Sequence, residues 1–393
     1  VFIDMVGVGL IAPIFPDLII KLSDLSLAKA ATVSGYLLFL YALMMFLAAP
    51  LVGALSDRFG RRPVAVLAIT GLAIDYLIMA YTQTLALLFI GRALAGIFGA
   101  TYPVANAMVA DVELPDNRAK SFGVVAAAGG LGFILGPAIG GLLASFGLRA
   151  PFLLAAALCG AICLVTYFFF FETLPDERRT NFCIKKINPL GSIMAIGFNN
   201  NVWMLFLALF FFQLAFQSIA TLWAFFGSAQ FQWEAMSIGI SIAVYGLLVA
   251  AVQGVLVNSV IVRVGEGRTG ELGIGVAIVG YLGLSIVSSQ IGLYLLIAML
   301  AVSGLAFPAM QSMMSRQTSE HQQGELQGAI ASIVSVSSIV GPIVTSQIFF
   351  WATAETMNWP GAPFVVSAVS CMIALALLTN FKKWAAQSND QSE

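Results

Sequence analysis

The sequence predicts an all-α membrane protein of twelve transmembrane helices, arranged as two pseudo-symmetric six-helix bundles with both termini cytoplasmic. Three observations predict it: an apolar composition, twelve apolar runs of spanning length, and a self-similarity at an offset of 205 residues. Of the 393 residues, 60% are hydrophobic and only 9% charged, whereas a soluble domain is about a quarter charged. So few ionic groups cannot clothe a water-soluble protein of this size, and most of the chain has lipid as its solvent. A net charge of −1 offers no basic field for nucleic acid. One histidine, His321, and four scattered cysteines, Cys159, Cys163, Cys183 and Cys371, supply neither a metal cluster nor a disulfide framework. The chain opens at Val1 already inside an apolar run, so a short preceding leader is expected, and no cleavable targeting peptide is legible.

In a bilayer each backbone amide must find its partner within its own segment, so an apolar run of about 20 residues reads as a spanning helix. The first run, 1–22, carries Asp4 together with Gly7, Gly9, Pro13 and Pro16. The second, 32–55, holds Tyr36 and Tyr41 and leads into a basic loop. The third and fourth, 64–82 and 84–110, are parted only by Thr82, Gln83 and Thr84; they bring in Asp75, Arg92, Tyr102 and Asn106. The fifth, 120–146, is rich in glycine, and the sixth is 150–171. A polar, basic divider, 172–200, reads as a cytoplasmic linker between a bundle at 1–171 and a second bundle at 201–382. There the seventh run, 201–226, holds Gln213, Gln217 and Trp223, and the eighth, 236–262, holds Tyr245 and Gln253. The ninth and tenth, 271–289 and 291–315, abut closely, with Gln311 near the end of the tenth. The eleventh, 324–352, is studded with serines, and the twelfth, 360–381, precedes a polar tail at 383–393.

Basic residues test this count independently, because cytoplasmic loops hold the excess of lysine and arginine. Alternating loops put 14 of them on one side and only three, Lys21, Lys29 and Arg149, on the other, with Arg92 inside a span. A miscounted helix would scramble that division, which places both ends in the cytoplasm.

Sliding the chain along itself by 205 residues lays Arg58 on Arg263, Gly60 on Gly265, Gly99 on Gly304, Pro103 on Pro308, Gly123 on Gly328, Gly136 on Gly341 and Pro137 on Pro342, without a gap. Helices two to five thus map onto helices eight to eleven. An even number of helices separates the copies, so the halves are parallel repeats about an axis along the membrane normal.

Ionisable residues within spans are costly and mark function by default. Three are internal: Asp4, Asp75 and Arg92. Asp4 lies 12 residues before Pro16, roughly 18 Å at 1.5 Å per residue, which puts it near the midplane or somewhat inward. Asp75 and Arg92 fall at similar depth in the outer half and are expected to form an ion pair, with helix-to-helix cohesion as their alternative role. Asp4 has no obvious fixed cation. Burial penalises the charged form of such a carboxyl, so it is a candidate to take up and release a proton as access alternates. Tyr36, Tyr41, Tyr102, Asn106, Gln213, Gln217, Trp223, Tyr245, Gln253 and Gln311 are the candidates for a mostly apolar substrate cavity with few polar anchors, suited to amphiphilic organic molecules. For any single glutamine, bonding between helices is the favoured use. Gly132, Gly136, Gly140 and Gly141 with Pro137 on helix five make a smooth groove for close helix approach.

Several of these runs carry a resemblance. Gly53-Ala-Leu-Ser-Asp57-Arg58-Phe-Gly60-Arg61-Arg62-Pro63 is similar to the signature loop of the major facilitator superfamily, Arg92 with Gly96 resembles its helix-four motif, and Gly132-x-x-x-Gly136-Pro137-x-x-Gly140-Gly141 resembles the helix-five motif of its proton-driven antiporters. Helix one and the run from Pro308 to Gly328 point towards the twelve-helix drug/proton antiporters, tetracycline efflux proteins among them.

The resemblance implies the major facilitator fold. It also implies efflux of a small organic compound in exchange for protons, with no cofactor beyond the proton gradient, by a monomer in the bacterial inner membrane. It assigns proton coupling to Asp4 and Asp75, and a cytoplasmic charge latch to Asp57, Arg61, Asp111 and Arg118, within the loop that also holds Arg58 and Arg62. Asp57, set near the start of helix eleven, would there meet a positive helix end. Tetracycline efflux proteins carry a histidine in helix eight, an acid in helix nine and a glutamine in helix two, where this chain has Val249, Ala277 and Met45, although Gln253 is kept. That departure directs proton coupling to the N-terminal half and points to a broader or different hydrophobic substrate. A proton-coupled carrier of a metabolite or siderophore and a non-transporting membrane sensor are the alternatives; no nucleophile, base and orienting group stand together to make an enzyme.

Overall fold

The structure, a computed structural model, describes residues 1–99, 101–180, 202–319, 322–353 and 357–390. Of the expected linker, residues 181–200 lie outside the described residues, as do His321, the end of the tail at 391–393 and the side chains of Asp4 and Tyr102. Among the described residues, twelve helices are long and apolar enough to cross a membrane. In chain order α1 joins Phe2–Ile11, a tight turn at Ala12–Ile14 and Phe15–Ser23; α2 is Leu27–Phe59 and α3 Arg61–Tyr81. α4 consists of Leu85–Phe98 and Thr101–Val112, α5 is Pro115–Ala144 and α6 Ala150–Phe169. The second series is α7 (Trp203–Phe231), α8 (Ala235–Val264), α9 (Glu266–Ile286), α10 (Gln290–Ser303 and Ala306–Arg316), α11 (Gln323–Ala352) and α12 (Ala362–Asp390).

Helices α2 and α9 outrun their apolar segments. Hydropathy places the start of the ninth at 271, but the helix begins at Glu266 because its early charges are neutralised: Arg316 pairs with Glu266 at 2.9 Å and Lys382 with Glu271 at 2.6 Å. The fourth and tenth runs, read as unbroken, are each interrupted after a glycine, Gly99 and Gly304.

The 205-residue offset fixes local structure as well as sequence. α3 and α9 begin and end at matching positions, and so do the first segments of α4 and α10 and the starts of their second segments. The turns ahead of α3 and α9 hinge on Gly60 (φ +102°) and Gly265 (φ +83°), a conformation in which a side chain would clash with the backbone. Thr84 and Ser289 cap α4 and α10 with their hydroxyls, accepting from the N–H of Leu87 at 3.4 Å and of Gly292 at 3.1 Å. The matching position of α2 and α8 is a helix defect of different chemistry. Pro50 removes a ladder bond in α2, whereas α8 widens into a π-helical turn, Val252–Leu256.

The chain divides into two units, Val1–Pro189 with Trp233–Val244, and Leu190–Gln232 with Tyr245–Glu393. In the first, α1 packs on α5 and α6, α3 on α6 and α4, and α2 on α4; in the second, α7 packs on α11 and α12, and α9 on α12 and α10. The opening turns of α8 belong to the first unit, a boundary that hydropathy does not mark. Their closeness has a simple cause: a Cβ added to Gly141 would lie 2.5 Å from the Ala235 carbonyl oxygen and 3.0 Å from Met236 Cα, so only a bare backbone fits.

The same rule governs α1 on α5. Gly132, Gly136 and Gly140 face the Phe2, Val6 and Leu10 carbonyls in step, each chain advancing by four residues. At Gly136 an added methyl would meet the Val6 oxygen at 2.6 Å and Gly9 Cα at 2.8 Å, both backbone atoms that cannot swing aside. Gly136→Ala is therefore expected to lower the melting temperature of the purified protein markedly, overpacking of this kind costing about 1–3 kcal/mol. Gly123→Ala, with nothing within 4 Å of the new methyl, is expected to leave it unchanged or raise it. Equal melting curves for the two variants would rule out this account of the packing.

Candidate functional site

Two charged constellations stand out in the first unit. The deeper one is set by a hairpin. Asp75 stands six residues before the end of α3 and Arg92 seven after the start of α4, which puts them about 9 and 10 Å from the same turn. They meet as an ion pair, Arg92 Nη2 donating to Asp75 Oδ2. Asp75 is wholly buried and Arg92 is buried too. The guanidinium also lies 3.0 Å from Met79 Sδ and 5.6 Å from the centre of the Tyr41 ring, whose negative face favours a cation. Gly91 makes room: a Cβ there would sit 2.7 Å from Asp75 Oδ1. Asp75 Oδ1 and Arg92 Nε have no hydrogen-bond partner among the described residues, so the pair is electrically closed but not saturated. The repeat places Gly280 and Ile297 at these two positions of the second unit, where no charge exists.

The shallower constellation surrounds the turn between α2 and α3. Arg61 Nη1 donates to Asp57 Oδ1 at 2.5 Å and to Ser56 Oγ at 3.1 Å, while its Nε donates to Asp111 Oδ2 at 2.9 Å. Three expected members of the latch stand apart from it. Arg118 is exposed and donates to the Glu113 carbonyl oxygen at 3.2 Å, because the turn ahead of α5 carries it towards its own neighbours. Arg62 donates to the Tyr167 carbonyl and stacks over that ring. Arg58 lies over the ring of Phe59.

Sequence reading missed Glu172. The chain leaving α6 folds back under the turn, and Glu172 accepts from the Arg61 N–H at 2.8 Å, the Arg62 N–H at 3.1 Å and the Leu174 N–H at 3.0 Å. Its carboxylate thus sits on the open N-terminus of α3, where unsatisfied N–H groups favour an anion. Partial burial works against its ionisation, but those three N–H bonds and the nearby Arg179 charge outweigh it and hold the carboxyl below its ordinary value. Thr173 Oγ1, 3.4 Å from Asp111 Oδ2, and the Thr180 N–H, donating to the Asp57 carbonyl at 3.1 Å, tie the same segment down. An acid that ends an apolar run is the only signal in the sequence, and it does not say which helix it caps.

The second unit repeats the outer constellation with its charges exchanged. Glu266 stands at the position of Arg61 and Arg316 at that of Asp111, and they pair at 2.9 Å, with Ser312 Oγ donating to Glu266 Oε1 at 2.7 Å. Matching identical residues could not reveal this, since the interaction is kept and the residues are swapped.

The expected cavity residues part into engaged and unengaged. Gln217 is buried, donating from Nε2 to Ser338 Oγ at 3.0 Å, and Gln311 Nε2 donates to Gln327 Oε1 at 2.9 Å. Trp223 is buried beside Phe226, and Tyr245 packs on the cluster of Val252, Ala301 and Leu305. Gln213, half-buried, and Gln253, exposed within the π-helical turn of α8, make no side-chain hydrogen bond among the described residues. In the first unit Asn106 Oδ1 is buried with no partner among the described residues, and Tyr36 is exposed.

Two outcomes follow. Asp75→Asn and Arg92→Gln, made singly, each leave a lone buried charge and are expected to destabilise by about 3–5 kcal/mol. The double variant is expected to regain most of that in a thermal melt; a double variant no better than either single one would show that the ion pair is not what joins α3 to α4. For Glu172 the sign is that of a carboxyl depressed on folding, whose contribution is full above its unfolded value and lost as pH falls through the folded one. The gap in melting temperature between Glu172→Gln and the parent is expected to stay constant from neutral pH downward and to close below the ordinary value of 4.5. A gap independent of pH would remove Glu172 from the helix terminus.

Comparison with known proteins places the chain in a family. The profile of the Major Facilitator Superfamily matches residues 1–342. The class C tetracycline resistance protein of Escherichia coli is 40% identical over 380 residues, covering 96% of this chain and 94% of that protein. The class B protein of Escherichia coli is 34% identical over 390 residues, covering 99% and 96%. Among solved structures, that of the human organic anion transporter MFSD10 superposes with a TM-score of 0.70 at 22% identity, covering 96% of each chain, which speaks to the fold.

Proposed function

The chain belongs to the major facilitator superfamily, and on that footing we propose that it exports small amphiphilic organic compounds of the tetracycline type across the bacterial cytoplasmic membrane in exchange for protons. The observation that carries the reading is the 40% identity with the class C tetracycline resistance protein over nearly the full length of both chains. The structure adds support of a different kind. A carboxylate and a guanidinium kept wholly inside a membrane span are too costly to persist without use, and Asp75 with Arg92, backed by Tyr41, forms such a pair.

In this reading Asp4 and the Asp75–Arg92 pair take part in proton coupling, and unengaged amides such as those of Gln213 and Gln253 hydrogen-bond the substrate. A π-helical turn leaves backbone and side chains free of the regular ladder, which suits Gln253 to that work. The Asp57–Arg61–Asp111 network, held by Glu172, steadies one end state of alternating access. In this reading both termini lie in the cytoplasm, which the 14 to three division of basic residues supports.

A second reading keeps the mechanism and changes the cargo. Ala277 is fully buried and Val249 packs into an apolar cluster, where tetracycline efflux proteins are expected to place an acid and a histidine. This favours a less polar compound than tetracycline itself.

Expression in a strain lacking its own efflux pumps, challenged with tetracyclines and with hydrophobic dyes, separates the readings. Tetracycline tolerance is expected to rise several-fold, with substrate-evoked proton movement in inverted vesicles that Asp75→Asn abolishes and Asp4→Asn weakens or abolishes. Tolerance to dyes alone would favour the second cargo. Substrate movement with no accompanying proton flux would overturn proton exchange.

A further inference from the structure

Helix α9 carries three charged residues near its start, and two of them are spoken for. Glu266 is paired with Arg316 and Glu271 with Lys382, whose aliphatic stem crosses Gly267 at about 2.9 Å from where a Cβ would be. Arg268 is exposed and has no ion-pair or hydrogen-bond partner among the described residues. It stands at the mouth of a groove of about 740 Å³ in the second unit, whose wall is Leu272, Gly275 and Val279 of α9, Met299 of α10 and Leu375 of α12. Nothing lies within 4 Å of a Cβ added at Gly275, so the groove floor is open.

The length and polarity of this groove select an occupant. From Arg268 to Val279 is 11 residues along α9, about 16 Å. Half of a hydrocarbon core of about 30 Å is the depth of one leaflet, so the groove runs from the interface to the bilayer midplane and no further. One end presents the Arg268 guanidinium, a fork of donors matched to phosphate oxygens, beside Glu271, whose charge Lys382 answers; Thr379 is the other polar lining residue, and the remaining wall is hydrocarbon. The repeat does not carry this arginine in the first unit, where the offset puts Pro63 at the place of Arg268.

We propose that this groove is a binding site for one anionic diacyl phospholipid, its phosphate held by Arg268 and an acyl chain laid along Leu272, Gly275 and Val279. The lipid comes from the leaflet on the basic side of the protein, and Thr379 of α12 stands on the opposite wall. A basic side chain at an anionic headgroup is worth about a fivefold preference. Phosphatidylglycerol is therefore retained over phosphatidylcholine, whose phosphate is neutralised by its own choline.

The test is native mass spectrometry of the full chain purified in detergent and titrated with each lipid. The parent is expected to hold one phosphatidylglycerol about fivefold more tightly than phosphatidylcholine. Arg268→Gln is expected to abolish that preference while still binding either lipid weakly. Gly275→Leu, whose Cβ meets nothing within 4 Å and whose side chain fills the open floor, is expected to remove both. Arg149→Gln, a cation of the first unit, is expected to behave as the parent. Equal retention of phosphatidylglycerol by the parent and both groove variants would overturn the proposal. So would displacement of the lipid by glycerol phosphate at matched concentration, which would make this a simple anion site. A parent that keeps no lipid and runs as a dimer, which Gly275→Leu splits, would instead make the groove a contact between copies.

Discussion

A charge enters a low-dielectric interior only beside its opposite, and that constraint orders most of what is specific in this protein. Asp75 and Arg92 meet because one hairpin turn sets them at equal depth, and Gly91 exists to let the two helices close on the carboxylate. Arg61 is held from two sides by Asp57 and Asp111. Glu172 answers the partial positive charge of a helix terminus rather than a side chain. In each case the geometry of backbone elements comes first and the charges complete it. A missing partner would leave a desolvated ion whose cost exceeds what the pair itself contributes.

The two repeats show how far that constraint reaches. Arg61 with Asp111 and Glu266 with Arg316 occupy matching positions with opposite signs. An attraction is unchanged when both partners are inverted, so either arrangement closes the turn. The consequences of burial differ, however. Arg61 and Asp111 side chains are 12% and 16% exposed, whereas Arg316 is 74% exposed. A pair with one member in water contributes about 0–1 kcal/mol, and the offset puts the apolar Val262 and Leu377 at the places of Asp57 and Glu172. The turn before α3 is a braced joint, and the turn before α9 is a simple one.

What could be read from the sequence follows the same division. Spanning helices were legible because lipid forces each run to satisfy its own backbone, leaving length and hydropathy as sufficient signals. Gly60, Gly136 and their partners were legible because no other residue fits a positive φ or a backbone contact, so identity itself repeats. Depth arithmetic sufficed to bring Asp75 to Arg92. Glu172 was not legible, since its role depends on a segment turning back beneath a loop more than 100 residues earlier. Nor were the swapped charges, because residue matching registers identity and electrostatics registers sign. The start of α9 was misplaced for a related reason: hydropathy counts Glu266 and Glu271 as ions, whereas the folded chain presents them as neutral pairs.

The polar groups of the second unit complete the picture: most hydroxyls bond backbone carbonyls of their own helix, and a few reach across to a neighbouring one. Gln217 bonds Ser338, Ser218 bonds Ser367 at 2.7 Å, and Ser337 reaches the Phe210 carbonyl at 3.3 Å. Such bonds between helices in lipid are worth about 0.6 kcal/mol each, enough to set register without creating a charge. Away from its Glu266–Arg316 and Glu271–Lys382 pairs, the second unit is thus cohesive through neutral groups, with Gln213 and Gln253 left over. The first is cohesive through glycine contacts and carries the buried ion pair. Proton chemistry requires a group that changes charge, and within the spans only the first unit holds one that is acidic and deep. Recognition of an amphiphile requires apolar surface with a few uncommitted amides, and that is what the second unit retains.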